Sequence, residues 1–437
     1  MRAVNPPTYS RAYLRYALGL MFVVYVVNFV DRQILSILLP GIKADLQLTD
    51  GQLGLLSGTA FGIFYATLGF PIARIADLYS RKWVMAVCVA LWSLMTALCG
   101  TAGGFLSLLA YRTGVGVGEA GGSPPAHSLI SDYFKPAERA TALAIFSLGV
   151  PVGIMVGFLA GGWMAETLGW RQAFVVVGLP GLVVAAVVAL TLREAPRGHS
   201  EGLHSTGGPA PSSGEVIRFL WSSRAFRHLS FASALYAFVG YSVISWAPSF
   251  LIRTHQMAIG EIGTWLAFIF GIGGGIGNYL GGVLADRWAR TDERGRAWVP
   301  ALSMILGLPG ALAVYVVNDA TLAVLLLAIP AGAGLMYQAP TFAITQALAT
   351  PKMRASAAAI LIFVISIIGL ALGPWSTGLL SDALAPRFGD DSLRWALFLV
   401  SLLLAWSGLH FWLASRALLP DLARAREAAE REANHSV

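Results

Sequence analysis

Charge is what this 437-residue chain has least of: 12% of its residues are Asp, Glu, Lys or Arg, against about 25% in soluble globular domains. With 56% hydrophobic residues and a mean hydropathy of +0.68, that scarcity excludes a water-soluble enzyme, a disordered chain and a nucleic-acid binder. Cysteine is nearly absent too. Cys88 and Cys99 lie about 16 Å apart along one helix, too far to pair, so no disulfide framework is expected. The seven histidines never take a metal-ligand spacing such as HExxH, so neither a metal site nor a cofactor is expected.

Long apolar runs are what the chain has instead. Twelve stretches, near 14–40, 51–77, 82–103, 105–131, 138–166, 171–192, 226–251, 261–286, 297–317, 321–349, 354–382 and 391–415, can each cross a bilayer as a helix. They are continuous rather than alternating, which favours helices over a barrel and lets every backbone group bond within its own segment. The expected fold class is therefore an all-α membrane protein of twelve transmembrane helices. The first run is too long for a cleaved signal peptide and lacks a small-residue cleavage site.

The 30 Lys and Arg residues set the orientation. With both termini in the cytoplasm, 23 of them fall inside and five outside (Lys43, Arg171, Arg253, Arg387 and Arg394), while Arg32 and Arg112 alone lie within spans. That bias follows the positive-inside rule, so the net charge of +7 is an orientation signal and implies no nucleic-acid partner. Residues 194–225 are rich in Gly, Pro and Ser and read as a flexible cytoplasmic linker. It separates a first six-helix bundle (1–193) from a second (226–416), and a cytoplasmic tail (417–437) follows. Within that tail, 423–434 reads as a short polar helix on the inner surface.

An internal repeat supports two halves. Asp77 and Arg81 in ARIADLYSRK match Asp286 and Arg290 in GVLADRWAR at an offset of 209 residues. Pro136, Arg139 and Ala140 match Pro351, Arg354 and Ala355 at an offset of 215. Parallel six-helix halves with a substrate site between them near the midplane are a transporter arrangement.

The loop after the second span resembles the signature loop of the major facilitator superfamily, usual form GxLaDrxGRK. Asp77, Arg81 and Lys82 fit that pattern, whereas Ala73, Leu78 and Ser80 depart from it; the second copy keeps Gly282, Asp286, Arg287 and Arg290 but carries Ala289 at the second Gly position. The resemblance implies two pseudo-symmetric bundles and a cytoplasmic gate formed by Asp77, Arg81, Lys82, Asp286, Arg287 and Arg290. Three further stretches, NFVDRQ (28–33), YRTGVGVGEA (111–120) and GVPVGIMVGFLAGG (149–162), together resemble the Spinster branch, whose animal members are proton-linked exporters of sphingolipids and lysophospholipids.

Elementary energetics reach the same residues independently. Asp31, Arg32, Arg112 and Glu119 lie well inside spans, where each ionised group costs roughly 2.5–3.5 kcal/mol unless it is paired or wet. Asp31 sits about 13 Å and Arg112 about 10 Å below the outer ends of their helices, nearly one level. Glu119 shares a helix face with Arg112, while Arg32 points about 100° away from Asp31. Glu119 with Arg32, or Asp31 with Arg112, are the natural pairs, and spacing leaves the wiring open. A carboxylate balanced between a paired ionised state and an unpaired protonated one suits proton coupling, and Glu119, nearest the midplane, is the first candidate, ahead of Asp31.

The second half offers no midplane charge but many aromatics. Tyr236, Tyr241, Ser245, Trp246, Tyr337 and Gln338 are the candidate cavity-lining residues. A wall of charge facing an apolar-aromatic wall suits an amphiphile, its head group on Arg32 and Arg112. Gly149, Gly153, Gly157 and Gly161 recur at four-residue spacing; close helix packing is the simpler reading. A hinge at Gly149, Pro151 and Gly153 is the sharper one.

The expectation is a monomeric secondary transporter in the cell's inner membrane, working by alternating access. It is expected to be proton-coupled and to carry a lipid-like anion. A symporter of small organic anions such as sugar acids is the rival. An enzyme is not expected, since only Asp31 and Glu119 could supply catalytic groups.

Overall fold

A computed structural model describes residues 9–197 and 212–434, and every regular element among them is helical. In chain order the spans are span 1, Arg11–Leu46; span 2, Asp50–Leu78; span 3, Arg81–Cys99; span 4, Phe105–Glu119 with Ser123–Tyr133; span 5, Ala137–Thr167; and span 6, Gly169–Thr191. They continue as span 7, Arg224–His255; span 8, Ile259–Ala289; span 9, Gly295–Ala313; span 10, Ala320–Ala347; span 11, which opens with Arg354–Val364 and closes with Gly373–Phe388; and span 12, Ser392–Ser401 with Leu403–Asn434. The expected twelve-helix class is therefore the observed one.

Three local differences from the sequence reading have physical causes. Span 4 is broken at 120–122 rather than continuous. Pro124 and Pro125 have no N–H to offer the carbonyls of Ala120 and Gly121, so the chain tightens into three-residue turns there, Gly121 N–H to Gly118 O and Gly122 N–H to Glu119 O. Part of the expected flexible linker, Ser213–Ser222, is a helix started by a capping box between Ser212 and Glu215; residues 198–211 of that linker lie outside the described residues. The polar helix expected at 423–434 is a continuation of span 12, not a separate element.

The described residues form two compact units. The first is drawn from Met1–Leu48, Ala60–Gly207 and Ile259–Ala267, the second from Thr49–Thr59, Gly208–Ala258 and Phe268–Val437. Spans 2 and 8 thus each contribute their opening residues to one unit and the rest to the other, and each carries a π-helical stretch there, Leu55–Thr59 and Ala267–Gly273. The repeat extends to the backbone. Spans 1 and 7 both end on a left-handed glutamine, Gln47 and Gln256, each at φ 53° and separated by the same 209 residues as the charged motifs.

Within the first unit, the span 5 glycines seat that helix directly on span 1. A Cβ added to Gly149, Gly153 or Gly157 would come within 3.0, 2.5 and 2.8 Å of the Cβ atoms of Tyr25, Phe29 and Gln33, and one on Gly161 within 2.7 Å of Ile37. Small residues here let two backbones approach closely. The helical pattern of span 5 is interrupted at Leu148, where Pro151 withholds the N–H that would reach Ser147 O.

The end of the first unit that carries its basic loops is tied together by Arg81. Its side chain is 1% exposed. It donates to Asp132, Ser128, Glu194 (2.8 Å) and the Ala195 carbonyl, so the loop after span 2 is bound to the ends of spans 4 and 6. Glu194 also accepts from the Ser80 hydroxyl (2.6 Å) and the Lys82 N–H (3.0 Å). Burial alone would raise the Glu194 carboxyl, but these donors outweigh it and hold it below the ordinary 4.5. A depressed carboxylate stabilises the fold above its unfolded value and loses that contribution as pH falls through the folded one. The Glu194 contribution to stability in detergent is therefore expected to be constant near neutrality and to be lost below about pH 4.5. Glu194→Gln should flatten that dependence; an unchanged profile in the variant would remove Glu194 from the clasp.

Candidate functional site

The intramembrane charges meet in the first unit because glycines allow three helices to close on them. Gly116 of span 4 lies against the Phe61 backbone of span 2, 2.6 Å from its carbonyl for an added Cβ, and Gly118 lies against Trp92 of span 3 at 2.7 Å. Any larger residue would push span 4 outward and carry Arg112 and Glu119 with it. Glu119 is the last residue of its helix before the break at 120–122. Irregular backbone at membrane depth is tolerated where it is enclosed by protein, and such breaks commonly accompany transport sites.

The structure resolves the wiring that spacing left open. Arg32 Nε donates to Glu119 Oε2 at 2.6 Å, with Glu119 fully buried and Arg32 14% exposed. The guanidinium lies 4.9 Å from the ring centroids of Phe29 and Phe61 and 4.5 Å from that of Tyr65. Three ring faces around one cation add attraction that grows as water is excluded. Gly153 packs on Phe29, so the span 1–span 5 contact also positions one wall of this aromatic cage.

Asp31 and Arg112 are both buried, at 0% and 2% exposure, yet form no ion pair within 4 Å. Among the described residues, neither oxygen of Asp31 has a hydrogen-bond partner within 3.5 Å, nor do Nε and Nη1 of Arg112 or Oε1 of Glu119. Arg112 lies 5.6 Å from the Phe61 ring, on which Arg32 also lies. Asn28 Nδ2, Trp92 Nε1, Ser93 Oγ and Thr96 Oγ1 are likewise buried without a partner. Trp92 and Thr96 are the polar groups beside Asp31. Buried polar atoms are almost always satisfied, so this cluster of polar groups on spans 1, 3 and 4 stands out from the apolar packing around it.

Span 3 was missed as a contributor in the sequence reading. Its signal is Trp92, Ser93 and Thr96, polar groups in an otherwise apolar run at one-turn spacing. Asn28 was visible in NFVDRQ but not separated from its motif.

In the second unit the candidate wall residues divide. Tyr236 and Tyr337 are buried against one another with ring centroids 4.5 Å apart, and Tyr337 also meets Phe411 at 6.1 Å. Trp246 is fully buried and donates its indole N–H to the Pro374 carbonyl at 2.9 Å, which places it in the packing of the unit rather than on an open wall. Ser245 is buried, Tyr241 half-buried and Gln338 exposed. A second ionic constellation, absent from the sequence reading, stands at the start of span 2. Asp50 receives both Arg253 guanidinium nitrogens at 2.6 and 2.7 Å and the Ser381 hydroxyl at 2.7 Å, while Asp382 accepts the Asp50 and Gly51 N–H groups.

The expected gate residues are unequal. Arg81 is committed to Asp132 and Glu194, whereas its repeat counterpart Arg290 is exposed without a hydrogen bond or ion pair among the described residues. Asp77 and Arg287 are exposed, Lys82 lies over Trp83 at 5.2 Å, and Asp286 is 3.8 Å from Arg296. Among the described residues no group of His, Cys, Asp and Glu could hold a metal, and Cys88 and Cys99 are buried and unpaired.

Residues 21–374 match the family model of the Major Facilitator Superfamily. An MFS-type efflux pump of Mycolicibacterium smegmatis is 34% identical over 411 residues, covering 93% of this chain and 94% of the pump. A hexuronate transporter of Bacillus subtilis is 27% identical over 279 residues, covering 63% of this chain and 65% of that one. Among solved structures, a bacterial homolog to the human lysosomal transporter Spinster, crystallised in an inward-facing and unoccupied conformation, matches with a TM-score of 0.86 at 31% identity, covering 94% of this chain and 99% of that one. A charged aromatic cage inside a twelve-helix fold, a family model spanning most of the chain and a Spinster homolog of the same architecture agree: the chain belongs to the major facilitator superfamily, in its Spinster-like branch, and is a multi-pass membrane transporter rather than an enzyme.

Proposed function

We propose that the protein is a proton-coupled carrier of an amphiphilic, lipid-like anion. It works as a monomer in the cell's inner membrane with both termini in the cytoplasm, by rocking of two six-helix halves. The observation that carries this reading is the Arg32–Glu119 pair, a charge-assisted bond at 2.6 Å inside an aromatic cage, with the other Glu119 oxygen unsatisfied among the described residues. Arg32 is the cation an anionic head group would need, and Glu119 already occupies it. Binding a proton to Glu119 removes its charge and releases Arg32 to the substrate; departure of the substrate lets Arg32 recapture the carboxylate and expel the proton. Arg112, buried with two nitrogens unsatisfied among the described residues, is the second cation for the head group, and Asp31, buried but not ion-paired with it, is the second carboxylate open to a proton. Gly149, Pro151 and Gly153 supply the hinge in this reading. Asp77, Arg81, Lys82, Asp286, Arg287 and Arg290 form the cytoplasmic gate, with Arg81 held in place by its clasp.

The lipid-like tail is inferred from the aromatic surroundings. Phe29, Phe61 and Tyr65 enclose the cation, and the second half supplies aromatics of its own, Tyr241 half-buried and Tyr236 packed on Tyr337. Small organic anions are the second reading, favoured by the hexuronate transporter relative and by two arginines able to clamp a carboxylate.

The first of two measurements tests the coupling and the second separates the two substrate readings. In proteoliposomes carrying a pH gradient, Glu119→Gln is expected to abolish proton-driven transport; the purified variant still folds, but at a lower unfolding temperature because Arg32 loses its counter-charge, and undiminished proton-driven uptake would remove Glu119 from the coupling. In a thermal-shift comparison, lysophospholipids and sphingoid phosphates are expected to stabilise the protein and hexuronates to leave it unchanged. Stabilisation by hexuronates alone would overturn the lipid reading.

A further inference from the structure

A cavity of about 510 Å³ opens on the flank of the second unit, far in sequence from the charged cage, among Trp288, Thr291, Trp298, Leu302, Ile305 and Trp412. These residues come from the basic ends of spans 8, 9 and 12, the ends assigned above to the cytoplasm. Trp288, Leu302, Ile305 and Trp412 are exposed. Three tryptophans around one groove at a span end is the composition of a membrane–water interface, where an apolar ring body and a polar N–H face different media. None of the three indole N–H groups has an acceptor among the described residues, so three donors stand at the rim unused.

Charge at the rim is of one sign once pairing is counted. The acidic neighbours are neutralised, Asp292 by Arg294 at 2.7 Å and Glu293 by Arg426 at 2.6 Å, and Asp286 lies 3.8 Å from Arg296. Among the described residues Arg416 has no carboxylate partner, and its guanidinium lies 4.4 Å from the Trp412 ring centroid. Arg294, over Trp298 at 5.5 Å, adds a second cation whose charge is partly spent on Asp292. Arg287 and Arg290, next in sequence to Trp288 and Thr291, are exposed and unpaired among the described residues. The groove therefore combines an apolar floor reaching down span 9 from Trp298 to Ile305, about 10 Å of helix, with a rim of free N–H donors and surplus positive charge.

We infer that this groove binds an anionic glycerophospholipid of the cytoplasmic leaflet, one acyl chain lying along Leu302 and Ile305 and the phosphate held by Arg416 and the indole N–H groups. A zwitterionic lipid fills the same apolar floor but gains nothing from the surplus charge, so the site selects by head group. It is separate from the Arg32 cage and is a resident-lipid site on the second half, independent of the transported substrate.

Native mass spectrometry of the purified full-length protein, titrated with dioleoyl phosphatidylglycerol or dioleoyl phosphatidylcholine, tests this. Wild type is expected to hold one phosphatidylglycerol in preference to phosphatidylcholine. Arg416→Ala should weaken phosphatidylglycerol binding about five-fold, the contribution of one cation near a membrane surface, and Leu302→Trp, which fills the groove, should abolish retention of that lipid. Arg32→Ala should leave the preference intact. Equal binding of the two lipids by wild type, or an unchanged preference in Arg416→Ala, would overturn the proposal. So would loss of the preference in Arg32→Ala, which would place the lipid in the transport cage.

Discussion

The ion pair between Arg32 and Glu119 is the constraint on which the rest of the first unit depends. Two ionised groups at membrane depth cost several kcal/mol, on the order of 5–7 before pairing, and removal of one partner from a buried pair leaves the other charge uncompensated, worth about 3–5 kcal/mol. The pair is therefore tolerable only while spans 1 and 4 stay in register, and it changes state only if something replaces the missing partner. A proton can replace Arg32 on Glu119, and an anion can replace Glu119 on Arg32. The same physics that makes the pair expensive is what suits it to the coupling role proposed above.

Holding that register falls to residues with no chemistry of their own. Gly116 and Gly118 let span 4 approach spans 2 and 3, and Gly149, Gly153, Gly157 and Gly161 fit span 5 against every fourth residue of span 1. Phe29 belongs to both systems, since it abuts Gly153 and flanks Arg32. A bulkier side chain at Gly153 therefore acts on the cage without touching a charge. Pro124 and Pro125 complete the arrangement by ending the first part of span 4 at Glu119.

Much of this was legible in the sequence, for reasons that vary from one feature to another. The twelve spans follow from hydropathy because the bilayer imposes a length and a backbone rule on every crossing segment. Asp31, Arg32, Arg112 and Glu119 stand out because ionisable groups are so rare there. Their wiring did not follow, because helical spacing gives the face of each helix but not how spans 1 and 4 are rotated against each other. The break in span 4 was written in Pro124 and Pro125, yet an apolar count passes over prolines. Arg81 was read as a gate residue from its motif; its partners Asp132 and Glu194 lie 51 and 113 residues away, and no local pattern joins them. The Asp50–Arg253 pair, 203 residues apart, was hidden for the same reason. The tryptophan groove needed three spans assembled before it existed at all.

The central claim is that Arg32 is shared between Glu119 and an anionic substrate, with a proton settling which of them holds it. Proton uptake on binding reads this directly. Lysophospholipid added to the purified protein in weakly buffered solution with a pH indicator should draw about one proton from solvent per molecule bound, and Glu119→Gln should bind with no uptake. Binding by the wild-type protein without any proton exchange, across the pH range in which it transports, would contradict the account.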